Sequence, residues 1–183
     1  MKSNNLALCG GQKLIKKKFK KYISIDRKDI NAAIKVLKKG TLSDFLGEKS
    51  PKFYGGYNVQ KFERYLEKYF KVKHAITTNS WTSGLIAAVG AIGTEPGDEI
   101  IVTTWTMCAS ATAILHWNAI PIFADIETET FNIDPKSIEK NITNKTIAIL
   151  AVDIFGHPAN MKMINKIAKK NNLKVITDNA QSI

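Results

Sequence analysis

The sequence predicts an α/β fold, a three-layer α/β/α sandwich whose sheet is mainly parallel. From His74 onward, short apolar runs alternate with segments of helical spacing, which is typical of strand–helix crossover units. The 183 residues are 44% hydrophobic, which is enough to bury a core. The two cysteines are too few for a disulfide framework, and together with three scattered histidines they predict no metal site.

The first 57 residues are predicted to form an amino-terminal arm, a helix and a loop. Six residues, 16–21, contain five lysines and form a basic segment. Asp26 can cap a helix, and Gly40 is expected to end that helix. A glycine-bearing loop then leads to a second helix from Asn58, whose apolar residues recur on one side and are predicted to be core.

The remaining residues, 58–183, are predicted to form one α/β region. The predicted strands are residues 75–77, 99–102, 121–124, 148–152 and 174–177. Helices are expected to start near Ser80, Cys108, Asp134 and Ala159. In parallel sheets, ligands bind beyond the carboxyl ends of the strands, so the residues that follow each strand are the candidates for chemistry.

Small polar residues follow the first predicted strand. Residues 78–84 open a helix, and free amides at a helix start beside hydroxyl groups can bind a phosphate. Ordinary helix capping by Asn79 and Ser80 is the alternative.

Two further strand ends carry candidate ligand groups. Trp105 and Met107 follow the second strand and could lie against a planar ring, although packing alone also explains them. Asp178 ends the last strand and could hold a protonated ring nitrogen or cap a helix. A phosphate site, a ring surface and a carboxylate are together what a pyridoxal phosphate (PLP) site requires.

The formal charge of +11 leaves other interpretations open. The basic segment could bind nucleic acid, could be a solvated surface, or could attract anionic ligands. We expect no nucleic-acid partner, because no zinc finger, RNA-binding aromatic signature or helix-turn-helix is recognisable. We also expect a cytoplasmic chain without a membrane partner, because the sequence shows neither a spanning apolar run nor a signal peptide.

At this point the sequence resembles the DegT/DnrJ/EryC1/StrS sugar aminotransferases, which serve nucleotide-sugar, polysaccharide and antibiotic-sugar biosynthesis. The resemblance includes Pro-Gly-Asp-Glu at 96–99 and Asp-Asn-Ala-Gln at 178–181. Its blocks are residues 58–63, 79–85, 96–102, 130–135, 155–161 and 178–181. It implies a fold-type I, aspartate aminotransferase-like PLP-binding large domain, of which residues 58–183 form the amino-terminal part.

The resemblance also implies roles for individual residues. Ser80, Trp81 and Thr82 would hold the cofactor phosphate, largely through backbone amides. Asp178 would pair with the pyridine nitrogen as the catalytic carboxylate, and Gln181 would reach the ring hydroxyl.

Several positions depart from the family pattern. Met107 stands where relatives usually have an aromatic residue on the ring face, with Trp105 two residues earlier. Trp81 replaces a usual glycine, so crowding is expected at the phosphate site. Asp153 replaces a common histidine, and Asn179 replaces a common small residue.

In the family, the Schiff-base lysine lies beyond the segment that corresponds to residues 178–181, followed by the rest of the large domain and the small domain. None of these is within the 183 residues, so this chain alone is expected to be inactive. The parent enzyme would move an amino group from glutamate or glutamine to a keto-sugar or keto-cyclitol. It would act as a homodimer in which residues 41–57 contribute to the partner's site. A non-catalytic PLP-binding, regulatory or oligomerising module is the alternative.

Overall fold

The computed structural model describes residues 6–182. The chain divides into two compact units, Met1–Tyr65 and Leu66–Ile183. The domain boundary that the sequence analysis placed between residues 57 and 58 stays a prediction.

The first unit consists of short helical segments and the helix α1, whose two ends are set by capping residues. Its helical segments are Ala7–Cys9, α1 (Arg27–Lys39), Pro51–Tyr54 and the first part of α2 (Tyr57–Phe70). The Asp26 side chain accepts hydrogen bonds from the amides of Lys28 and Asp29, and Asp29 accepts one from the Asp26 amide. This capping box satisfies donors that a helix start leaves open. Gly40 ends α1 with φ of 75°, so both predicted ends are confirmed.

The apolar side of α2 is exposed, which corrects the prediction that it is core. No residue of α2 is buried by the described part of the chain. Val59, Phe62 and Tyr65 are all exposed. Helical spacing shows that a helix has an apolar side, but it does not show whether another surface of the chain covers that side.

The second unit contains a four-stranded parallel sheet flanked by helices. Its strands are β1 (Glu99–Thr103), β2 (Ile120–Ala124), β3 (Thr146–Val152) and β4 (Lys174–Asp178). Its helices are α3 (Trp81–Ala91), α4 (Cys108–Leu115), α5 (Pro135–Asn141) and α6 (Met161–Lys170). The strand order is β2-β1-β3-β4, and the register pairs Ile101 with Ile122 and with Ile149. The predicted α/β fold class is confirmed.

Alternation along the strands separates two cores, one on each face of the sheet. Ile100 and Val102 face the cluster that includes α3 and α4. Ile101 between them faces the cluster that includes α5 and α6. Because successive strand residues point to opposite faces, β1 packs against helices on both sides.

The first predicted strand is absent from the sheet. Residues 75–77 are not in a strand, and Ile76 is 83% exposed. The prediction was wrong because a short run of strand-forming residues becomes a strand only when a neighbouring strand pairs with it. The four described strands pair with one another and not with residues 75–77. The four later strands are confirmed, as are the four helix starts to within two residues.

Because the strands are parallel, their carboxyl ends, including those of β1, β3 and β4, lie at the same edge of the sheet. The chain runs from β1 outward to β2 and then returns past β1 to β3, so the order reverses between β1 and β3. Thr103, Asp153 and Asp178 lie at or just after the carboxyl ends of β1, β3 and β4. Such a reversal is where open parallel sheets bind their ligands.

Candidate functional site

The start of α3 presents hydrogen-bond donors. The Ser80 hydroxyl caps the helix, accepting from the Ser83 amide at 3.1 Å, and the Thr78 hydroxyl donates to the Ser80 carbonyl at 2.8 Å. The amides of Trp81 and Thr82 belong to the first turn, where the helix provides no carbonyl for them. Together with the helix dipole, these groups favour an anion such as a phosphate.

Asp178 lies beside this turn. It is only 5% exposed. Its Oδ1 accepts from the Trp81 indole Nε1 at 2.6 Å and from the Ala180 amide at 3.1 Å. Its Oδ2 accepts from the Ser110 hydroxyl at 2.7 Å, and Ser110 in turn lies 2.9 Å from the Thr106 hydroxyl. The structure therefore brings together two predicted site segments that are 97 residues apart in the chain.

The donor set defines what this site can hold. Amides and a hydroxyl at the start of α3 suit an anionic group, and the carboxylate of Asp178 suits a basic nitrogen. A compound that carries a phosphate and a basic ring nitrogen, as PLP does, fits these two ends.

Gln181 is oriented by the loop after β3. Its side-chain oxygen accepts from the Phe155 amide at 2.6 Å, which leaves the side-chain NH₂ group to donate elsewhere. The backbone approaches closely here, because a Cβ on Gly156 would lie 2.8 Å from the Gln181 carbonyl oxygen. Glycine at residue 156 therefore permits the contact that places Gln181.

Trp105 and Met107 lie after β1. The Trp105 ring is tilted against Phe131, with the centroids 5.7 Å apart. Residues 104–106 and Ile154 line an open depression of about 280 Å³. Met107 is exposed at the position before α4. Both side chains are available at this edge, and their stacking on a ring stays a prediction.

Asp153 and Asn179, two of the four departures from the family pattern, contact each other. Asp153 is buried, and its Oδ2 accepts from Asn179 Nδ2 at 2.5 Å and from the Ser182 hydroxyl at 3.0 Å. Its Oδ1 accepts from the Ala159 amide at 3.0 Å, and its own amide donates to the Asp178 carbonyl at 3.0 Å. Asp153 thus joins the end of β3 to the segment that carries Asp178.

Sequence reasoning missed Ser110. It lies on α4 and is fully buried, where it donates to Asp178. A single hydroxyl among small residues in the first turn of α4 is the signal that could have found it, because a buried hydroxyl needs a partner.

No helix within residues 6–182 has the length and apolarity to cross a membrane. Nor does this part of the chain gather three potential metal-ligating side chains.

A family comparison decides the assignment of the chain. The model of the DegT/DnrJ/EryC1/StrS aminotransferase family matches residues 25–183. The chain belongs to this family. The resemblance seen in the sequence motifs is thereby confirmed, and the family's sugar aminotransferases are among the relatives of this chain.

Individual relatives match over most of this chain. The GDP-perosamine synthase of Escherichia coli O157:H7 is 42% identical over 127 residues, covering 69% of this chain and 35% of that protein. The pleiotropic regulatory protein of Geobacillus stearothermophilus is 41% identical over 135 residues, covering 74% and 36%. The crystal structure of NtdA from Bacillus subtilis with bound cofactor PMP matches with a TM-score of 0.74 and 34% identity, covering 84% and 33%. The chain spans about a third of the length of these relatives.

Proposed function

We propose that this chain supplies the amino-terminal part of a PLP-dependent enzyme that transfers an amino group from glutamate or glutamine to a keto-sugar or keto-cyclitol. In this proposal residues 1–57 form an arm, helix and loop, and residues 58–183 belong to the PLP-binding large domain. The observation that carries it is the buried carboxylate of Asp178, which lies at a strand end in contact with the start of α3. Membership of this aminotransferase family and the similarity to a GDP-perosamine synthase support the same reaction.

The two ends of the site have distinct roles in this proposal. Ser80, Trp81 and Thr82 hold the cofactor phosphate through first-turn amides and the Ser80 hydroxyl. Asp178 accepts a hydrogen bond from the pyridine nitrogen and keeps it protonated. PLP bound in this way supplies an electron sink for the carbon that gains or loses the amino group.

Three further side chains orient the ring. Gln181 donates its free NH₂ group to the ring hydroxyl, since its oxygen is held by the loop after β3. Trp105 and Met107 lie against the ring face, a role that suits a flat side chain and a polarisable one. Their exposure at the site edge supports this placement.

The proposal includes a cytoplasmic homodimer whose residues 41–57 contribute to the partner's site. Exposed apolar side chains on α1, such as Ile30 and Leu37, and on α2 support an association of this kind. Sedimentation equilibrium of the complete natural protein tests this association. We expect the mass of a dimer, and the mass of a monomer would contradict the proposal.

We further infer that a polypeptide of these 183 residues alone does not transaminate. None of its lysines matches the family's Schiff-base lysine segment, so the amine that would attach PLP and shuttle the proton is missing from it. Formation of 2-oxoglutarate from glutamate and a keto-sugar by this polypeptide would refute the inference.

Cofactor binding tests the central claim directly. Isothermal titration calorimetry with pyridoxamine 5′-phosphate (PMP) avoids the reaction of an aldehyde with surface lysines. Asp178→Asn is expected to weaken binding about tenfold to a hundredfold, because a charged hydrogen bond contributes about 1.5 to 3 kcal/mol. Asp134→Asn, a change at the cap of α5, is the matched control and should leave binding unchanged. Equal binding by all three proteins would exclude the proposed site.

A regulatory module is the second candidate. The similarity to a protein named pleiotropic regulatory protein favours it. In that case the chain would bind PMP and associate with itself or an intact relative, while amino transfer to every keto-sugar tested would be absent from the complete natural protein.

A further inference from the structure

The contact between Trp81 and Asp178 has consequences for cofactor binding. The indole N–H of Trp81 donates to Asp178 Oδ1 at 2.6 Å, a short distance for a nitrogen donor. Trp81 is also the first residue of α3, so its backbone amide belongs to the proposed phosphate site. One residue therefore contacts both proposed ends of the site, the phosphate end through its backbone and the carboxylate end through its side chain.

The acceptor positions of Asp178 are largely filled. A carboxylate oxygen has two lone pairs, and Oδ1 accepts from both Trp81 and the Ala180 amide. Oδ2 accepts from Ser110, which is fully buried. With Asp178 only 5% exposed, a new donor can reach Oδ1 only where one of its present donors lies.

Trp81 is the one of these donors that can leave. Ser110 is fixed inside the core, and the Ala180 amide is held two residues from Asp178 by the chain itself. The Trp81 side chain is 48% exposed, so a rotation about its own bonds moves the indole into solvent. This rotation leaves the backbone amide of Trp81 in place.

We propose that the Trp81 indole occupies the position on Asp178 that the pyridine nitrogen of the cofactor takes, and that it leaves when the cofactor binds. This inference rests on the proposed role of Asp178 as the pyridine partner. One N–H donor replaces another on Oδ1, so part of the cofactor's binding free energy is spent on releasing the indole. Trp81 acts as a positioning residue that lowers affinity for ring-bearing ligands and leaves affinity for phosphate alone unchanged.

Trp81→Phe tests this directly, because it removes the N–H and keeps an aromatic ring. Calorimetry with PMP is expected to give a Kd about tenfold or more below that of the unmodified protein, since a competing hydrogen bond to a charged group is lost. The affinity for inorganic phosphate, followed by its ³¹P NMR signal, should stay within about twofold, because the backbone amides do not change. A merely structural effect of the substitution would change the affinity for PMP and the affinity for inorganic phosphate alike.

Trp117→Phe is the matched control. The Trp117 indole donates to the Ile86 carbonyl at 2.8 Å, away from Asp178. Its loss removes an indole hydrogen bond of similar kind, and PMP affinity should not change. Equal Kd values for PMP in the unmodified protein and Trp81→Phe would overturn the inference.

A second measurement works on the unmodified protein, in case Trp81→Phe does not fold. The chain has three tryptophans, whose indole N–H signals are resolved by ¹H–¹⁵N NMR. Trp105→Phe and Trp117→Phe assign two signals, and the third belongs to Trp81. This signal should move on saturation with PMP and stay in place with phosphate. Saturation by PMP without a shift of the Trp81 signal would show that the indole remains on Asp178.

The outcomes separate this inference from the proposed function. If PMP binds neither the unmodified protein nor Trp81→Phe, both proposals fail. If PMP binds both equally and Asp178→Asn loses binding, the proposed function stands and the role of Trp81 is overturned.

Discussion

Gly90 on α3 allows a stability prediction with two opposing contributions. A Cβ at residue 90 would lie 2.1 Å from Cζ2 and 2.6 Å from Cε2 of Trp117. The Trp117 indole also donates to the Ile86 carbonyl one turn earlier on the same helix. Gly90→Ala therefore forces the indole to move, and α3 is the helix that carries the Ser80 turn.

The relative size of these two contributions determines whether Gly90→Ala stabilises or destabilises the protein. Replacing a glycine inside a helix by alanine stabilises a protein by about 0.5 to 1 kcal/mol when space is available. Overpacking costs about 1 to 3 kcal/mol, and the lost indole hydrogen bond costs about 1 kcal/mol more. We therefore expect Gly90→Ala to lower the free energy of unfolding by about 1 to 3 kcal/mol.

Urea unfolding followed by far-UV circular dichroism measures this change. Gly84→Ala, on the same helix, is the matched control, because its Cβ would lie 3.4 Å from the Thr78 hydroxyl, an ordinary contact. It should raise stability by about 0.5 to 1 kcal/mol. In a Trp117→Leu background, Gly90→Ala should become stabilising as well. An unchanged or higher stability of Gly90→Ala in the unmodified protein would refute the packing argument.

Three further substitutions have expected effects. Asp153→Ala should lower the free energy of unfolding by about 3 kcal/mol in urea titrations, because it leaves several donors, including Asn179, without their acceptor; a loss below about 1 kcal/mol would contradict this. Asp26→Ala should destabilise α1 by about 1 kcal/mol, seen as faster hydrogen exchange of its first-turn amides, and unaltered exchange would count against the cap. Lys71→Gly should raise thermal stability by relieving a left-handed backbone of φ 54°, and by more than Asn118→Gly, since asparagine tolerates that conformation; the reverse order would exclude strain at Lys71.

The sequence predicted well what depends on neighbours in the chain. Asp26 and Gly40 bound α1 as expected, because a cap acts within a few residues of itself. The strands from β1 onward were also found, since each is a short apolar run, and β1 and β3 are buried along almost their whole length. The strand-end rule then directed attention to Asp178, which the structure places in contact with Trp81.

The missed features depend on distant partners. Residues 75–77 have the composition of a strand but no described strand pairs with them, and the apolar side of α2 is exposed rather than core. The bond from Ser110 to Asp178 joins residues 68 apart, and that of Asn179 to Asp153 joins residues 26 apart. The sequence shows that these side chains are polar, but a local pattern cannot identify their hydrogen-bond partners, because tertiary packing sets which residues meet.

The separation between Trp81 and Asp178 also orders events during protein synthesis. A ribosome that adds about 5 to 20 residues per second needs roughly 5 to 20 seconds to add the 97 residues between them. During that interval Asp178 has not yet been added, so the segment that forms α3 lacks the carboxylate that Trp81 contacts in the folded chain. Under the proposed function, cofactor binding at Asp178 therefore has to follow the synthesis of β4 and its pairing with β3.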